Sequence, residues 1–124
     1  CYDLRFPELF RRLKADVLLV PSAFTYVTGQ AHWELLLRAR AVENQLYVVA
    51  ANQWGTHEPG KASYGRSLIA DPWGVVLAVA PDEDTVITAE LDRERLRRVR
   101  QEVPSPANRR PSAYRWPAVA QPPA

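Results

Sequence analysis

Apolar positions along this chain begin at helical spacing, pass into short continuous runs, and end in strand-length segments divided by proline and glycine. Residues 7–14 open with Pro7, whose missing N–H costs nothing in a first helical turn, and place Leu9, Phe10 and Leu13 on one face of a short amphipathic helix. Residues 16–21 form a β-branched and leucine run closed by proline, which predicts a strand buried on both faces. Thr28 is placed to cap a second helix running to about Gln45, with Trp33, Leu36, Leu37 and Val42 as its inner stripe. Residues 46–51 predict another buried strand. Strand, helix and strand at this spacing make a βαβ unit with parallel strands and a right-handed crossover.

After an expected loop over 52–63 the pattern changes. Residues 67–70, 75–80 and 85–91 predict antiparallel strands, because Asp71-Pro-Trp-Gly74 and the acidic stretch 81–84 mark tight reversals between them. Asp92 then caps an arginine-rich helix to about Glu102, which Pro104 ends. Six of the eleven prolines lie from Pro104 onward, so the expected organisation is a folded part over 1–103 and an extended tail over 104–124. No internal repeat is visible.

Composition narrows the class. A chain of 124 residues is the size of one domain or part of one, and 47% apolar with 24% charged residues excludes a disordered, collagen-like or coiled-coil chain. The longest apolar runs are far short of the roughly twenty residues that cross a bilayer, so no membrane partner is expected. The single cysteine forbids an internal disulfide, and His32 and His57 beside it cannot assemble a zinc-spaced cluster; no metal or cofactor is expected, and cytoplasmic residence fits. The net charge of +2 hides an uneven distribution, since eight arginines against Glu94 and Glu102 give residues 93–115 a local +6. A nucleic-acid groove would interleave aromatic residues with those arginines, so the expectation is a solvated basic segment lying against another subunit or another part of the same protein, and not against nucleic acid.

The chain contains no methionine, and its only cysteine is residue 1. That combination admits a piece of a longer chain, an N-terminal-nucleophile hydrolase, or a lipoprotein acylated at Cys1. The helix-forming, half-apolar stretch after Cys1 disfavours the last two. Cys1-Tyr-Asp-Leu-Arg-Phe-Pro7 sets a thiol just before a helix, where free backbone N–H groups and partial positive charge favour a thiolate and can hold an oxyanion. Taken alone, a single cysteine is more often an inert small hydrophobe.

Five blocks change that weighting. Cys1-Tyr-Asp-Leu-Arg-Phe-Pro-Glu-Leu9, Pro21-Ser-Ala-Phe-Thr25, the segment from Thr28-Gly-Gln-Ala-His-Trp33 to Asn44, Ala62-Ser-Tyr-Gly-Arg-Ser67 and Asp71-Pro-Trp-Gly74 resemble the carbon–nitrogen hydrolase (nitrilase) superfamily. Within it they look most like the branch of ω-amidases and deaminated-glutathione amidases. The resemblance implies an α/β fold, the C-terminal half of an αββα nitrilase-type sandwich. It also implies an enzyme in which a cysteine, helped by a glutamate base, a lysine and a second glutamate, cleaves a linear, non-peptide amide of a small carboxylic or keto acid to acid and ammonia through a thioester.

By the same resemblance Cys1 is the nucleophile, the three helpers lie N-terminal to it, and the 124 residues are an incomplete fragment that does not turn over alone. The Tyr2 backbone N–H is the candidate oxyanion donor. Arg5 is the candidate carboxylate holder because its planar fork matches a carboxylate, against the alternative of an ion pair with Asp3 or Glu8. Phe24 and Thr28 are expected to line the substrate pocket, or else to be a core plug and a helix cap. His32 and Trp33 are expected to pack or anchor a loop, and Arg38, Arg40 and Glu43 to form an interface or buried ion-pair set. Arg66 stands where related amidases often carry histidine. Family members are commonly homodimers or larger, so a homo-oligomer is expected. The alternative from another class is a non-catalytic amidase-like binding or scaffolding subunit.

Overall fold

A computed structural model describes residues 1–114. The chain passes through α1 (Pro7–Arg12), β1 (Val17–Ser22), α2 (Tyr26–Asn44), β2 (Tyr47–Asn52), β3 (Trp54–Glu58), β4 (Lys61–Tyr64), β5 (Leu68–Ala70), β6 (Val76–Val79) and α3 (Arg93–Glu102), with 3-10 turns at Tyr2–Arg5 and Pro111–Ala113. Four strands form one sheet in the order β1-β2-β5-β6, and β3 and β4 form a separate two-stranded ribbon. β1 and β2 run parallel with Val17 opposite Tyr47, as the βαβ pattern requires, whereas β5 and β6 add antiparallel. No helix among the described residues is long and apolar enough to cross a membrane.

The core lies between α2 and one face of the sheet. Side chains alternate along a strand, so Leu18, Val20, Val48, Ala50, Leu68 and Ala70 point to one side, where they meet Trp33, Leu37 and Ala41 of α2. The expectation that β1 is buried on both faces is not met. It is an edge strand, and Leu19, on the opposite side from Leu18, is 70% exposed. The inner stripe of α2 also differs in one place: Arg40 and Ala41 are buried, while Val42 is half-exposed and touches the Gly74 turn. Of the expected apolar face of α1 only Phe10 is buried, because six residues give too little helix to turn Leu9 and Leu13 inward as well.

Three further expectations are corrected. Thr28 is not the cap of α2. Thr25 occupies that position, its carbonyl accepts from Gly29 N at 2.7 Å, and the Thr28 hydroxyl donates back to the same carbonyl at 3.4 Å. The stretch 52–63 is not a loop but holds the end of β2 and most of a hairpin, reversed at Gly60 with φ +78°. Residues 85–91 form no strand; Val86 is 86% exposed and has no ladder partner among the described residues.

The Asp71 turn is held as its sequence suggests, with the Asp71 carboxylate accepting from Trp73 N and Val75 N, both at 2.9 Å. Within the stretch expected to be an extended tail there is one 3-10 turn, and residues 115–124, with Arg115, lie outside the described residues.

α3 begins where expected, with the Asp92 carboxylate accepting from Glu94 N. Tyr47, on the sheet face away from Val48, fixes that start by donating its hydroxyl to Asp92 O at 3.0 Å and accepting from Asp92 N at 3.1 Å. Three of the arginines of α3 are paired within the chain, Arg95 with Asp71 at 3.2 Å, Arg100 with Asp16 at 2.8 Å, and Arg97 with Glu94 one turn before it. Burial pushes the Tyr47 phenol above its ordinary 10.0. A phenol whose folded value is raised gives up its proton more readily when unfolded, so stability falls as pH rises from about 10 toward the folded value. Thermal denaturation of the protein carrying this chain is expected to show a loss between pH 9 and 11 that is smaller in Tyr47→Phe.

Candidate functional site

The C-terminal end of β1 opens into a loop that the rest of the fold holds by its backbone. Asn52, the last residue of β2, is buried and bridges two segments with its side-chain amide: Oδ1 accepts from Phe24 N at 2.7 Å and Nδ2 donates to Gly65 O at 2.7 Å. Phe24 O then accepts from Tyr64 N at 2.8 Å, so the β4 end of the hairpin is tied to the same loop. Gly29 makes this approach possible. A Cβ there would lie 2.3 Å from the Tyr64 Cβ.

On the other side of the loop sits the segment bearing the thiol. Cys1 is exposed and occupies the N-cap position of the 3-10 turn Tyr2–Arg5. As first residue of that turn, Tyr2 has a backbone N–H that no bond within the turn uses. The turn is anchored to α2 by Arg40, 3% exposed, whose Nε and Nη2 donate to Leu4 O at 3.1 and 2.8 Å. Arg40 Nη1 meets Glu43 Oε2 at 2.8 Å, and its guanidinium lies over the Phe10 ring. Arg40 and Glu43 are thus a structural pair that positions the Cys1 segment. Arg38, their neighbour in the expected set, instead bonds Gly74 O at 2.8 Å and Glu34 at 3.6 Å.

Cys1, Tyr2, Arg5, Phe24 and Thr28, drawn from two segments, line one cavity of about 80 Å³, together with Thr25. Arg5 makes no ion pair with Asp3 or Glu8, and among the described residues it has no carboxylate within 4.0 Å. Its guanidinium stands 5.3 Å from the Phe24 ring centroid, and Nη1 is 3.1 Å from His32 Nδ1. A guanidinium has donors only, so Nδ1 is the acceptor, and His32 serves to aim Arg5. Phe24 is buried against Trp33 at 5.2 Å and still presents to the cavity, so it is both core and lining. Trp33 Nε1 donates to Arg66 O at 2.8 Å, fixing Arg66 in its left-handed conformation at φ +56°.

Among the described residues no group of three His, Cys, Asp or Glu side chains is placed to hold a metal ion. Asn52, Thr25 and the hairpin were not singled out by sequence. Asn52 ends an apolar strand ahead of a Gly/Pro-rich polar stretch, a position that signals a turn and not a bridge between two loops.

Residues 1–101 match the family described as carbon–nitrogen hydrolase. The deaminated glutathione amidase of Rattus norvegicus is 50% identical over 117 residues, which are 92% of this chain and 36% of that protein. The crystal structure of the Caenorhabditis elegans NitFhit protein superposes with a TM-score of 0.87 at 49% identity, over 93% of this chain and 29% of that one. A mutant of the amidase from Nesterenkonia sp. AN1, which shows covalent addition of the acetamide moiety of fluoroacetamide at its active site cysteine, superposes with a TM-score of 0.59 at 36% identity, over 67% of this chain and 32% of that one. The chain therefore spans little more than a third of the curated relative it matches, and its α/β layers are a partial segment of the fold of these neighbours.

Removing the Asn52 amide leaves a buried N–H and a buried carbonyl without partners at about 1–3 kcal/mol each. Asn52→Ala is expected to lower stability by about 2–4 kcal/mol, and Asn52→Asp at least as much, because a carboxylate cannot donate to Gly65 O. Equilibrium denaturation of the protein carrying the chain checks both.

Proposed function

The chain belongs to the carbon–nitrogen hydrolase family, and on that premise we propose that the protein carrying it is a cysteine-dependent amidase acting on linear, non-peptide amides of small carboxylic or keto acids. The observation that carries this reading is the cavity where the Cys1 thiol shares one wall with a guanidinium that has no carboxylate of its own. It is supported by the names of the relatives, amidases in two of the three cases given above, and by the covalent adduct on the active site cysteine of one of them.

In the proposed reaction Cys1 Sγ loses its proton to the glutamate base that the family resemblance places outside these residues. The thiolate attacks the amide carbon, and the carbonyl electrons move to oxygen, which accepts from the Tyr2 N–H left unused within its turn. The C–N bond then breaks as nitrogen takes up a proton and leaves as ammonia. Water adds to the thioester, the C–S bond breaks, and the acid departs as the thiol is regenerated. Arg5, aimed by His32, holds the substrate carboxylate. Thr28 and Phe24 line the same cavity and bound the substrate there.

Residues 1–103 form the hydrolase segment and 104–124 its tail. A reducing cytoplasm keeps the thiol free for this chemistry. The protein works as a homodimer in which exposed Arg93 and Arg98, without a carboxylate within 4.0 Å among the described residues, face acidic groups of a second subunit.

Cys1→Ser in the full-length protein is expected to abolish ammonia release while the fold is retained, read by circular dichroism; full activity in that variant would sink the nucleophile assignment and favour a binding subunit. Arg5→Lys keeps the charge and loses the fork. It is expected to raise KM for acidic ω-amides on the order of tenfold and to change KM for neutral amides far less. An equal effect on both classes would make Arg5 structural.

A further inference from the structure

A separate cleft lies at the other end of α2 from the Cys1 cavity. It measures about 460 Å³ and is enclosed by the segment after α1, the last turn of α2, and the end of α3 with the turn that follows it. Thr28 lines the first cavity and Asn44 the second, so at roughly 1.5 Å per residue about 24 Å of helix separates them. A molecule held here is out of reach of the thiol.

The cleft is tied together by side chains. Arg100 uses all its guanidinium nitrogens: Nε donates to Gln45 O at 3.0 Å, Nη2 to Ala15 O at 3.1 Å, and Nη1 meets Asp16 Oδ1 at 2.8 Å. Buried Gln45 donates its side-chain amide to Val103 O, which fixes the end of α3 against the end of α2. The chain then turns at Pro104, where Asn108 N donates to Pro104 O at 3.0 Å, and Arg109 comes round to line the cleft together with Arg11 and Lys14.

Its charges do not balance. Of the carboxylates at the cleft, Asp16 is taken by Arg100, and Glu43 by Arg40 from outside it. Arg11, Lys14 and Arg109 have no carboxylate within 4.0 Å among the described residues. Arg11 gives one nitrogen to Glu43 O at 2.7 Å and keeps its other N–H groups. Cations gathered on one concave surface repel one another, and a bound anion relieves that repulsion. Half-exposed Leu13 and the rings of Pro104 and Pro106 add apolar wall beside them, so the complementary ligand carries an apolar body as well as charge.

Phosphate suits this set better than carboxylate. A phosphate monoester brings close to two charges and three terminal oxygens, enough to accept from several of these side chains at once, whereas a carboxylate brings one charge and two oxygens. We propose that this cleft binds a small organic phosphate, with its oxygens on Arg11, Lys14 and Arg109 and its apolar body against Leu13 and the prolines. The site is independent of the Cys1 chemistry, and the inference stands whether or not the protein is an amidase.

Calorimetric titration of the full-length protein with 1-naphthyl phosphate tests it, with inorganic phosphate, 1-naphthoate and 1-naphthol as partial ligands. The phosphate ester is expected to bind once per chain, on the order of tenfold more tightly than inorganic phosphate or 1-naphthoate, with 1-naphthol too weak to measure. Lys14→Gln and Arg109→Gln, both at exposed positions, should each weaken it on the order of tenfold while the circular dichroism spectrum is unchanged. No measurable binding of the ester, equal binding of any partial ligand, or an affinity unmoved by both substitutions overturns the site. Binding lost in Arg5→Lys and kept in the two glutamine variants would place the phosphate in the Cys1 cavity and overturn it too. A phosphoserine peptide that binds more tightly than the ester would overturn the small-molecule assignment.

Discussion

One buried amide holds the site together. Asn52 accepts from Phe24 N with one end of its side chain and donates to Gly65 O with the other, joining segments 41 residues apart in sequence. Only a primary amide of this length does both: aspartate has no donor, and an apolar residue would strand two buried backbone groups. Because β2 runs parallel to β1 with Asn52 opposite Ser22, the amide arrives just where the chain leaves β1 for the cavity. The strand register therefore decides whether the loop, and with it Phe24, has a fixed shape.

A second tether works from the other direction. The 3-10 turn carrying Cys1 has only Leu4 buried in the core, so its orientation depends on Arg40 reaching Leu4 O from α2. A buried guanidinium is costly unless its donors are used, and here Leu4 O, Glu43 and the Phe10 face take them up. Thiol segment and pocket loop are thus both referenced to α2, one through Arg40 and the other through Gly29 and Tyr64. Arg5 and His32 close the circuit across the cavity. Each contact puts side-chain polarity to use where the backbone is irregular, as expected of a site carried on loops above a rigid layer.

Much of this was legible along the chain. The parallel pairing of β1 with β2, the antiparallel β5–β6 reversal at Asp71 and the Asp92 cap follow from periodicity, turn residues and a capping carboxylate, all of which act within a few residues. Cys1, Tyr2, Arg5, Phe24 and Thr28 were identified as candidates from a family resemblance, and the fold gathers them around one cavity. Their roles there are proposals that the substitutions above test. Less legible were the elements that depend on a distant partner. The hairpin reads as a loop because its residues are polar and rich in glycine and proline, and a two-stranded ribbon persists only when docked on something else. Here it docks on Thr25 and Phe24.

By itself the sequence determined the kinds of element, the βαβ order, the family to which the chain belongs and the residue types set aside for chemistry, since these rest on local periodicity and on motifs that are contiguous in the chain. Tertiary structure alone decided the rest. It left β1 exposed on one side at the sheet edge, moved the helix cap from Thr28 to Thr25, and turned Arg5 away from Asp3 and Glu8 toward His32 and Phe24. It also raised a hairpin beside the cavity. In each case the deciding energy comes from groups tens of residues apart, whose meeting is set by strand register and helix packing and leaves no trace in local spacing.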